Sequence, residues 1–280
     1  MIPFDFIYLR PNTLREAVDI YAQLQSEGKS SIYYAGGSEI ISMCRVGAIG
    51  PGAVIDIKHI PECILLSVDE EKLHIGSVCT LSQISESKLF PLLEHSCGRI
   101  ADHTNQCRIT LGGNLCGTII YRETSHSLLL SDAEITVYSS LEGERTVPFQ
   151  SIFNGRMLLK PGEIIVQVHV PAWALSARYA HIKKTANEKI DYPLVSIAAI
   201  WKDNNLRVAF SGICSYPFRS EQIEAVLNDR TKSCQERAER AAELLPEAVY
   251  SDVEGSDEYR LFVFKNTLQE LLEDWDNGTI

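Results

Sequence analysis

Apolar residues recur at helical spacing near the start of the chain, where Leu14, Ala17, Val18, Tyr21 and Leu24 share one face. That pattern, behind the cap-type residues Asn12 and Thr13, predicts an amphipathic helix over 12–27. The period then changes. Ser31-Ile32-Tyr33-Tyr34 is a short β-type run that passes into Ala35-Gly36-Gly37-Ser38. A second helix is expected next, with Ile40, Ile41 and Val46 on its apolar side, then a loop over 47–52 and a strand over 53–57. Strand, helix, strand in this order marks a parallel α/β unit.

From residue 59 the texture differs. Residues 72–76 (Lys-Leu-His-Ile-Gly) read as a half-buried strand, followed by helices around 81–86 and 90–100. Strands are expected at 134–139 and 163–170. In the latter, Ile165, Val166 and Val168 interleave with Gln167 and His169, and Pro171 should end it because proline cannot extend a ladder. Further on, strands over 195–201 and 206–212 flank Asp203-Asn204-Asn205, a hairpin signature. Helices follow at 220–228, 233–245 and 258–275. The last carries Leu261, Phe264, Leu268, Leu271 and Trp275 on one stripe, which reads as core packing. No repeat of fixed period and no low-complexity tract interrupts the pattern.

A length of 280 residues suits two domains. The formal net charge of −11 works against phosphate backbones and anionic membrane surfaces, so neither nucleic acid nor membrane is an expected partner. The N-terminal residues lack a basic start and an uninterrupted apolar core, and no apolar run approaches the ~20 residues of a membrane span. A cytoplasmic location is the expectation. None of the eight cysteines lies two or three residues from another, so no zinc or iron–sulfur pattern is present, and they read as reduced thiols. The seven histidines form no HExxH-like pair. No metal site is expected.

Candidate chemistry sits in two glycine pairs. In Ala35-Gly36-Gly37-Ser38-Glu39 a strand ends and a helix begins, so backbone N–H groups of the helix start can face a bulky anion. Ser38 either adds a hydroxyl donor or merely caps the helix, and Glu39 suits sugar or ribityl hydroxyls. Thr110-Leu111-Gly112-Gly113-Asn114 again joins a hydroxyl residue to two glycines, followed by a side-chain amide. Two such loops can converge on the two phosphates of one dinucleotide. The glycines at 47, 50 and 52 do not have GxGxxG spacing and lie between a helix and a strand, with Pro51 removing a donor; a Rossmann site is not expected. There is no Walker A motif, and Ser38 and Ser196 lack a GxSxG elbow. Lys183 and Lys184 read on their own as solvated surface lysines.

Taken together, several segments resemble one family, the flavoprotein subunits and domains of xanthine dehydrogenase, carbon monoxide dehydrogenase and related molybdenum hydroxylases. Residues 35–40 (AGGSEI) are similar to the family's AGGT(D/E)L loop, residues 54–62 (VIDIKHIPE) to LVDIK-x-IPE, and residues 110–116 (TLGGNLC) to T(V/I)GGNLC. Residues 162–171 resemble the strand closing the flavin domain. Residues 191–198 resemble a DIAIVSVA stretch, and residues 212–227, with Pro217, Arg219 and Glu224, follow a further family segment. The match runs in order along nearly the whole chain.

The resemblance implies an α+β fold: an FAD-binding domain of two α/β subdomains, PCMH-like, over 1–172 (about 1–58 and 59–172), and a C-terminal α+β domain with antiparallel sheet and helices over 173–280. It implies FAD, its pyrophosphate held by both glycine loops. The cofactor-binding residues carried over are Tyr33, Tyr34, Ala35, Gly36, Gly37, Ser38, Glu39, Ile40, Ile109, Thr110, Gly112, Gly113, Asn114, Gly117 and Ile165. Glu123 falls where the family has an aspartate that hydrogen-bonds the cofactor, and Lys183 where a basic residue approaches the flavin ring and stabilises its reduced form. The stretch between Asn114 and Glu123 departs from the family's Ala-Ser-Pro-like pattern. The implied partners are a large molybdenum-cofactor subunit, a small subunit with 2Fe–2S clusters, and NAD or another electron acceptor, most naturally in a xanthine dehydrogenase of purine metabolism. Competing readings are a self-sufficient flavin oxidoreductase and an assembly protein of this fold that has lost FAD.

Overall fold

The structure, a computed structural model, describes residues 1–278. In chain order its elements begin with β1 (Ile7–Leu9), α1 (Leu14–Ser26), β2 (Ser31–Tyr34), α2 (Ser38–Arg45), β3 (Ala53–Asp56), α3 (Pro61–Ile64), β4 (Leu66–Val68) and β5 (Lys72–Gly76). Helices α4 (Leu81–Ser87), α5 (Pro91–Cys97), α6 (His103–Gln106), α7 (Leu111–Cys116) and α8 (Thr124–Leu130) follow. Next come β6 (Glu134–Ser139), β7 (Gly143–Pro148), α9 (Phe149–Ile152), β8 (Ile164–Pro171), α10 (Ala172–Leu175), β9 (Tyr179–Thr185), β10 (Pro193–Lys202) and β11 (Asn205–Ser211). The chain closes with β12 (Phe218–Arg219), α11 (Glu221–Leu227), α12 (Cys234–Glu243) and α13 (Asp257–Asp276).

The first sheet is parallel, in the order β1-β3-β2, with Ala53 opposite both Ile7 and Ser31. Helix α1 starts where the Thr13 hydroxyl accepts the Glu16 N–H at 3.1 Å. It buries Leu14, Ala17, Val18 and Leu24 with Ala53, Ile55, Ile57 and Ile60, as the spacing predicts, and Ile164 and Val166 join that core. The apolar face expected of α2 is less complete. The helix ends at Arg45, and Val46 is an exposed cap residue. The second sheet is antiparallel throughout, ordered β4-β5-β8-β6-β7. Pro171 still pairs with Lys72 at its edge, so the ladder stops at the proline and not before it.

Two compact units result. The first comprises Met1–Leu89, His103–Gly117 and Asp132–Ala172; the second comprises Phe90–Asp102, Thr118–Ser131 and the chain from Trp173 onward. Two segments inside 59–172, carrying α5 and α8, thus pack with the C-terminal part of the chain. The four-stranded sheet of the second unit explains why.

That sheet is ordered β12-β11-β10-β9 and is antiparallel. Its hairpin turns on two residues, Asp203 and Asn204, both with positive φ, and Asn205 already pairs with Lys202. One face is dry: Val195, Ile197, Ala199, Val208 and Phe210 pack with Ile223, Leu227, Ala238, Ala241, Phe264, Leu268, Leu271 and Trp275. The other face carries small residues, Ser196, Ala198, Ala209 and Ser211. Every residue of α8 is buried, and its terminal carbonyls are held from this sheet, Leu129 by Arg219 at 2.9 Å and Leu130 by Arg207 at 3.1 Å. Cations at that end suit a helix C-terminus.

On α13 the expected stripe is buried except at its first member, Leu261, which is half-buried; Arg260 is the residue fully enclosed there. Its Nη1 donates to the carbonyls of Pro193 (3.0 Å), Leu194 (2.8 Å) and Gly212 (2.8 Å), and its Nη2 pairs with Asp252 at 2.5 Å. Arg260→Met removes the donors and leaves the three buried carbonyls of Pro193, Leu194 and Gly212, and the half-buried Asp252 carboxylate, without them. Urea unfolding is expected to show a loss of about 3–5 kcal/mol. A loss below about 1 kcal/mol would mean the network is dispensable.

Candidate functional site

The first glycine loop joins β2 to α2 in the first unit. Gly37 has φ of +70° and is the N-cap of α2; a side chain there would run into the Tyr34 ring. Ser38 is therefore not the cap: its hydroxyl is buried at the start of α2 and has no hydrogen-bond partner among the described residues. Lys58 braces the loop from below. Its ammonium pairs with buried Asp56 at 2.9 Å, lies 4.5 Å from the Tyr34 ring centroid and reaches the Ala35 carbonyl at 3.4 Å. The Tyr8 hydroxyl also donates to Asp56. Tyr33, on the opposite strand face, is turned away from the loop. Its ring stacks on Tyr21 with centroids 5.2 Å apart, its hydroxyl donates to the Gly162 carbonyl at 2.9 Å, and burial raises its pKa. Ile40 is half-buried in the first turn of α2.

The second loop lies directly against the first. A Cβ on Gly36 would overlap the Arg108 carbonyl oxygen, and one on Gly117 would stand 2.5 Å from a Glu39 carboxylate oxygen. Backbone-to-backbone approach, not cofactor contact, is what excludes a side chain at 36. The peptide N–H groups of the second loop are already engaged: Leu111 donates to Cys79 O, Gly112 to Ser77 O at 2.8 Å and Gly113 to Thr110 Oγ1 at 3.2 Å. Ser77 N in turn donates to Val166 O, next to buried Ile165. Ile109 is tied down at both ends, its N–H to Asn105 and its carbonyl to Leu81. The expectation that both loops offer amides to one diphosphate is corrected here. Helix α2 opens with first-turn N–H groups that have no intrahelical acceptor, whereas those of the second loop are tied to Cys79, Ser77 and Thr110. Ser77, Lys58 and the Arg108 carbonyl were not marked as site residues from the sequence, because their roles come from contacts between segments far apart in the chain.

Glu123 and Lys183 belong to the second unit and hold each other. Their ion pair is 2.9 Å long with both side chains almost fully enclosed, and the ammonium also donates to Arg99 O at 2.8 Å. Lys183 is thus no solvated surface lysine. Glu123 Oε1 has no hydrogen-bond partner among the described residues. Lys183 shares a rung with Ser196 and Ser211 across three strands, and both hydroxyls are likewise buried without a partner. His181 lies on the same strand face. Burial, reinforced by His126 and by the nearby cations Arg99 and Lys183, lowers its imidazole pKa to about 3. Burial also pushes His126, on α8, down to about 3. Reading 179–185 as a strand would have put His181 and Lys183 on one face; reading it as a basic run hid them.

Among the described residues no group of three or more His, Cys, Asp or Glu side chains is arranged to hold a metal ion, and no helix is long and apolar enough to cross a membrane.

Comparison with known proteins gives the class: the chain belongs to the family described as the FAD binding domain in molybdopterin dehydrogenase, whose model matches residues 3–173. Over 274 residues the chain is 27% identical to the carbon monoxide dehydrogenase medium chain of Hydrogenophaga pseudoflava, with 93% of each chain covered. It is 24% identical over 241 residues to the caffeine dehydrogenase subunit beta of a Pseudomonas species, covering 82% of this chain and 80% of that one. Among solved structures, a carbon monoxide dehydrogenase from Hydrogenophaga pseudoflava superposes with a TM-score of 0.86 at 25% identity over 96% of both chains. The resemblance read from the loop motifs therefore holds at the level of the family.

The two buried histidines make the second unit acid-sensitive. Their pKa values are lower in the folded state than the ordinary 6.5, so below about pH 6.5 the unfolded chain takes up protons that the folded one refuses. Their contribution to stability is present above that pH and lost as pH falls toward 3. Unfolding midpoints measured from pH 7.5 to 5 should decline, and the double variant His126→Gln/His181→Gln should decline less steeply. Equal slopes would remove the histidines from the account.

Proposed function

We propose that this chain is the FAD-binding, electron-transferring subunit of a molybdenum hydroxylase, working with a large molybdenum-cofactor subunit and a small subunit carrying 2Fe–2S clusters. The observation that supports it most is the meeting of the two glycine loops beside the start of α2, where the buried Ser38 hydroxyl has no partner among the described residues. That cradle fits a diphosphate: a helix N-terminus, a hydroxyl donor and close-packed glycine backbone. FAD bound there supplies the exchange between one-electron carriers and a two-electron acceptor.

The chain's own residues bind and orient. The amides opening α2 and the Ser38 hydroxyl donate to the pyrophosphate oxygens. Glu39 accepts from sugar or ribityl hydroxyls. The second loop backs the first, since its amides are held by Cys79 and Ser77, and it contributes the side chains of Thr110 and Asn114. Tyr34 and Lys58 keep Gly37 and Ala35 in place, and Tyr33 serves packing. Glu123 and Lys183, which pair with each other inside the second unit, are included as cofactor-contacting residues on the family resemblance alone, the lysine as the charge that would favour the reduced flavin. The division into an FAD-binding domain over 1–172 and a C-terminal domain over 173–280 belongs to the same proposal.

For the complex as a whole we favour a purine such as xanthine as the hydroxylated substrate and NAD as electron acceptor. Similarity to a caffeine dehydrogenase subunit supports the purine, caffeine being one. Native purification should recover two further subunits with the chain, and a purine panel with NAD should reveal turnover. Substrate-driven flavin reduction by the chain alone would instead make it self-sufficient.

Gly36→Val forces the loops apart at the Arg108 carbonyl and is expected to weaken FAD binding about tenfold or more. Ser38→Ala, which removes one donor without adding bulk, should weaken it by a factor of about three to ten. Flavin content by absorbance, with circular dichroism to verify folding, checks both. Full flavin content in a folded Gly36→Val variant would refute the site.

A further inference from the structure

Strand register in the first unit brings together two histidines that lie 95 residues apart in the chain. His74 of β5 pairs directly with His169 of β8 on the face opposite buried Leu73, Ile75, Val168 and Val170, and both rings are half-buried. Their Nδ1 atoms are 2.8 Å apart, with ring centroids at 4.9 Å and planes at 73°. The outer nitrogens are held in place. His74 Nε2 is 2.8 Å from Asp69 Oδ2, and His169 Nε2 is 2.7 Å from Thr136 Oγ1, itself 2.7 Å from Thr146 Oγ1. Asp69 is fixed in turn by accepting the N–H groups of Glu71 and Lys72, each at 2.8 Å.

We propose that the His74–His169 pair is a binding site for an imidazole-preferring divalent transition ion such as Ni2+, Cu2+ or Zn2+. Two facing imidazole nitrogens are the ligands such ions prefer. Each ring also has the outer-shell partner that usually accompanies a metal-bound histidine: a carboxylate for His74, a hydroxyl for His169. The network supports the required tautomer. His74 donates its Nε2–H to Asp69, and His169 donates its Nε2–H to Thr136, whose own proton turns to Thr146. In the ion-bound state both Nδ1 lone pairs are then open, whereas without an ion one Nδ1 carries the proton that makes the 2.8 Å contact a hydrogen bond, and binding releases it. A modest turn of each ring aims them at one ion.

The resting spacing is close to what an ion requires. With metal–nitrogen bonds of about 2.0–2.1 Å, cis ligands at about 90° stand about 2.9 Å apart, whereas a tetrahedral pair stands about 3.3 Å apart. The observed 2.8 Å is the hydrogen-bond spacing of the ion-free pair, and it lies within a few tenths of an ångström of either arrangement. Water fills the remaining positions. Local charge favours a cation: Lys72 is paired with Glu134 at 2.6 Å, and Asp69 adds a negative charge beside His74.

Ni2+ is the probe, because Cu2+ would oxidise some of the eight free thiols. Calorimetric titration of NiCl2 into the full-length chain at pH 7.5 should reveal a site of one ion per chain. His74→Gln and His169→Gln should each weaken it by more than about tenfold, the scale known for loss of outer-shell partners alone. Thr136→Val should cause a smaller loss, and His103→Gln, beside Cys107, none. Ni2+ should raise the unfolding midpoint of the wild type and not of His169→Gln, which also verifies that the variant folds. A wild-type chain that binds Ni2+ no better than the double variant His74→Gln/His169→Gln, or a site that survives either single histidine substitution, overturns the proposal.

Discussion

The carbonyl oxygen of Arg108 occupies the volume in which any residue other than glycine at 36 would carry its Cβ. Around this approach the rest of the first unit is arranged. The loop that contains Arg108 is fixed from behind by a relay of backbone bonds in which Val166 O holds Ser77 N and Ser77 O holds Gly112 N. The loop that contains Gly36 is fixed from below by Lys58 and Asp56. Each loop is thus anchored to a different sheet, and the contact at Gly36 is where the two anchorages meet. A second loop whose amides were free would be a better anion ligand and a worse support.

The second unit rests on a sheet with two unlike faces. The dry face is an ordinary apolar core under α11 to α13. The other face is lined with serine and alanine, which lets α8 sit close but leaves little apolar area to hold it. Polar contacts compensate: Arg207 and Arg219 on the last carbonyls of the helix, and the Glu123–Lys183 pair at the residue before its start. Burying that pair is costly unless both partners stay, which ties the helix to the strand more stringently than apolar packing would. It also explains why a segment from the middle of the chain is part of the C-terminal unit.

Periodicity made much of this legible from the sequence. Helix α1, the β10–β11 hairpin and the core stripe of α13 follow from spacing alone, because each buries one face against a neighbour that is itself apolar. Where burial is decided by a distant partner, the pattern is silent. Strand β9 looked like a basic run because its alternation is between polar residues, and its faces acquire meaning only on pairing with β10. Val46 looked like core but lies past the end of its helix. The glycine pairs were legible as loops, and the family resemblance pointed to their cofactor. Which amides remain available was not legible, since that depends on Cys79 and Ser77, residues with no motif of their own. His74 and His169 were read as unrelated for the same reason: only the register of two strands makes them neighbours.

That register has a consequence for how the five-stranded sheet forms. A slip of one residue between β5 and β8 would exchange the faces and send an imidazole into the interior rows now filled by Leu73, Ile75, Val168 and Val170. Misaligned sheets are therefore penalised twice, by the polar ring driven inward and by the aliphatic side chain left wet. The paired rings act as a vernier on the strand alignment whether or not anything ever binds between them.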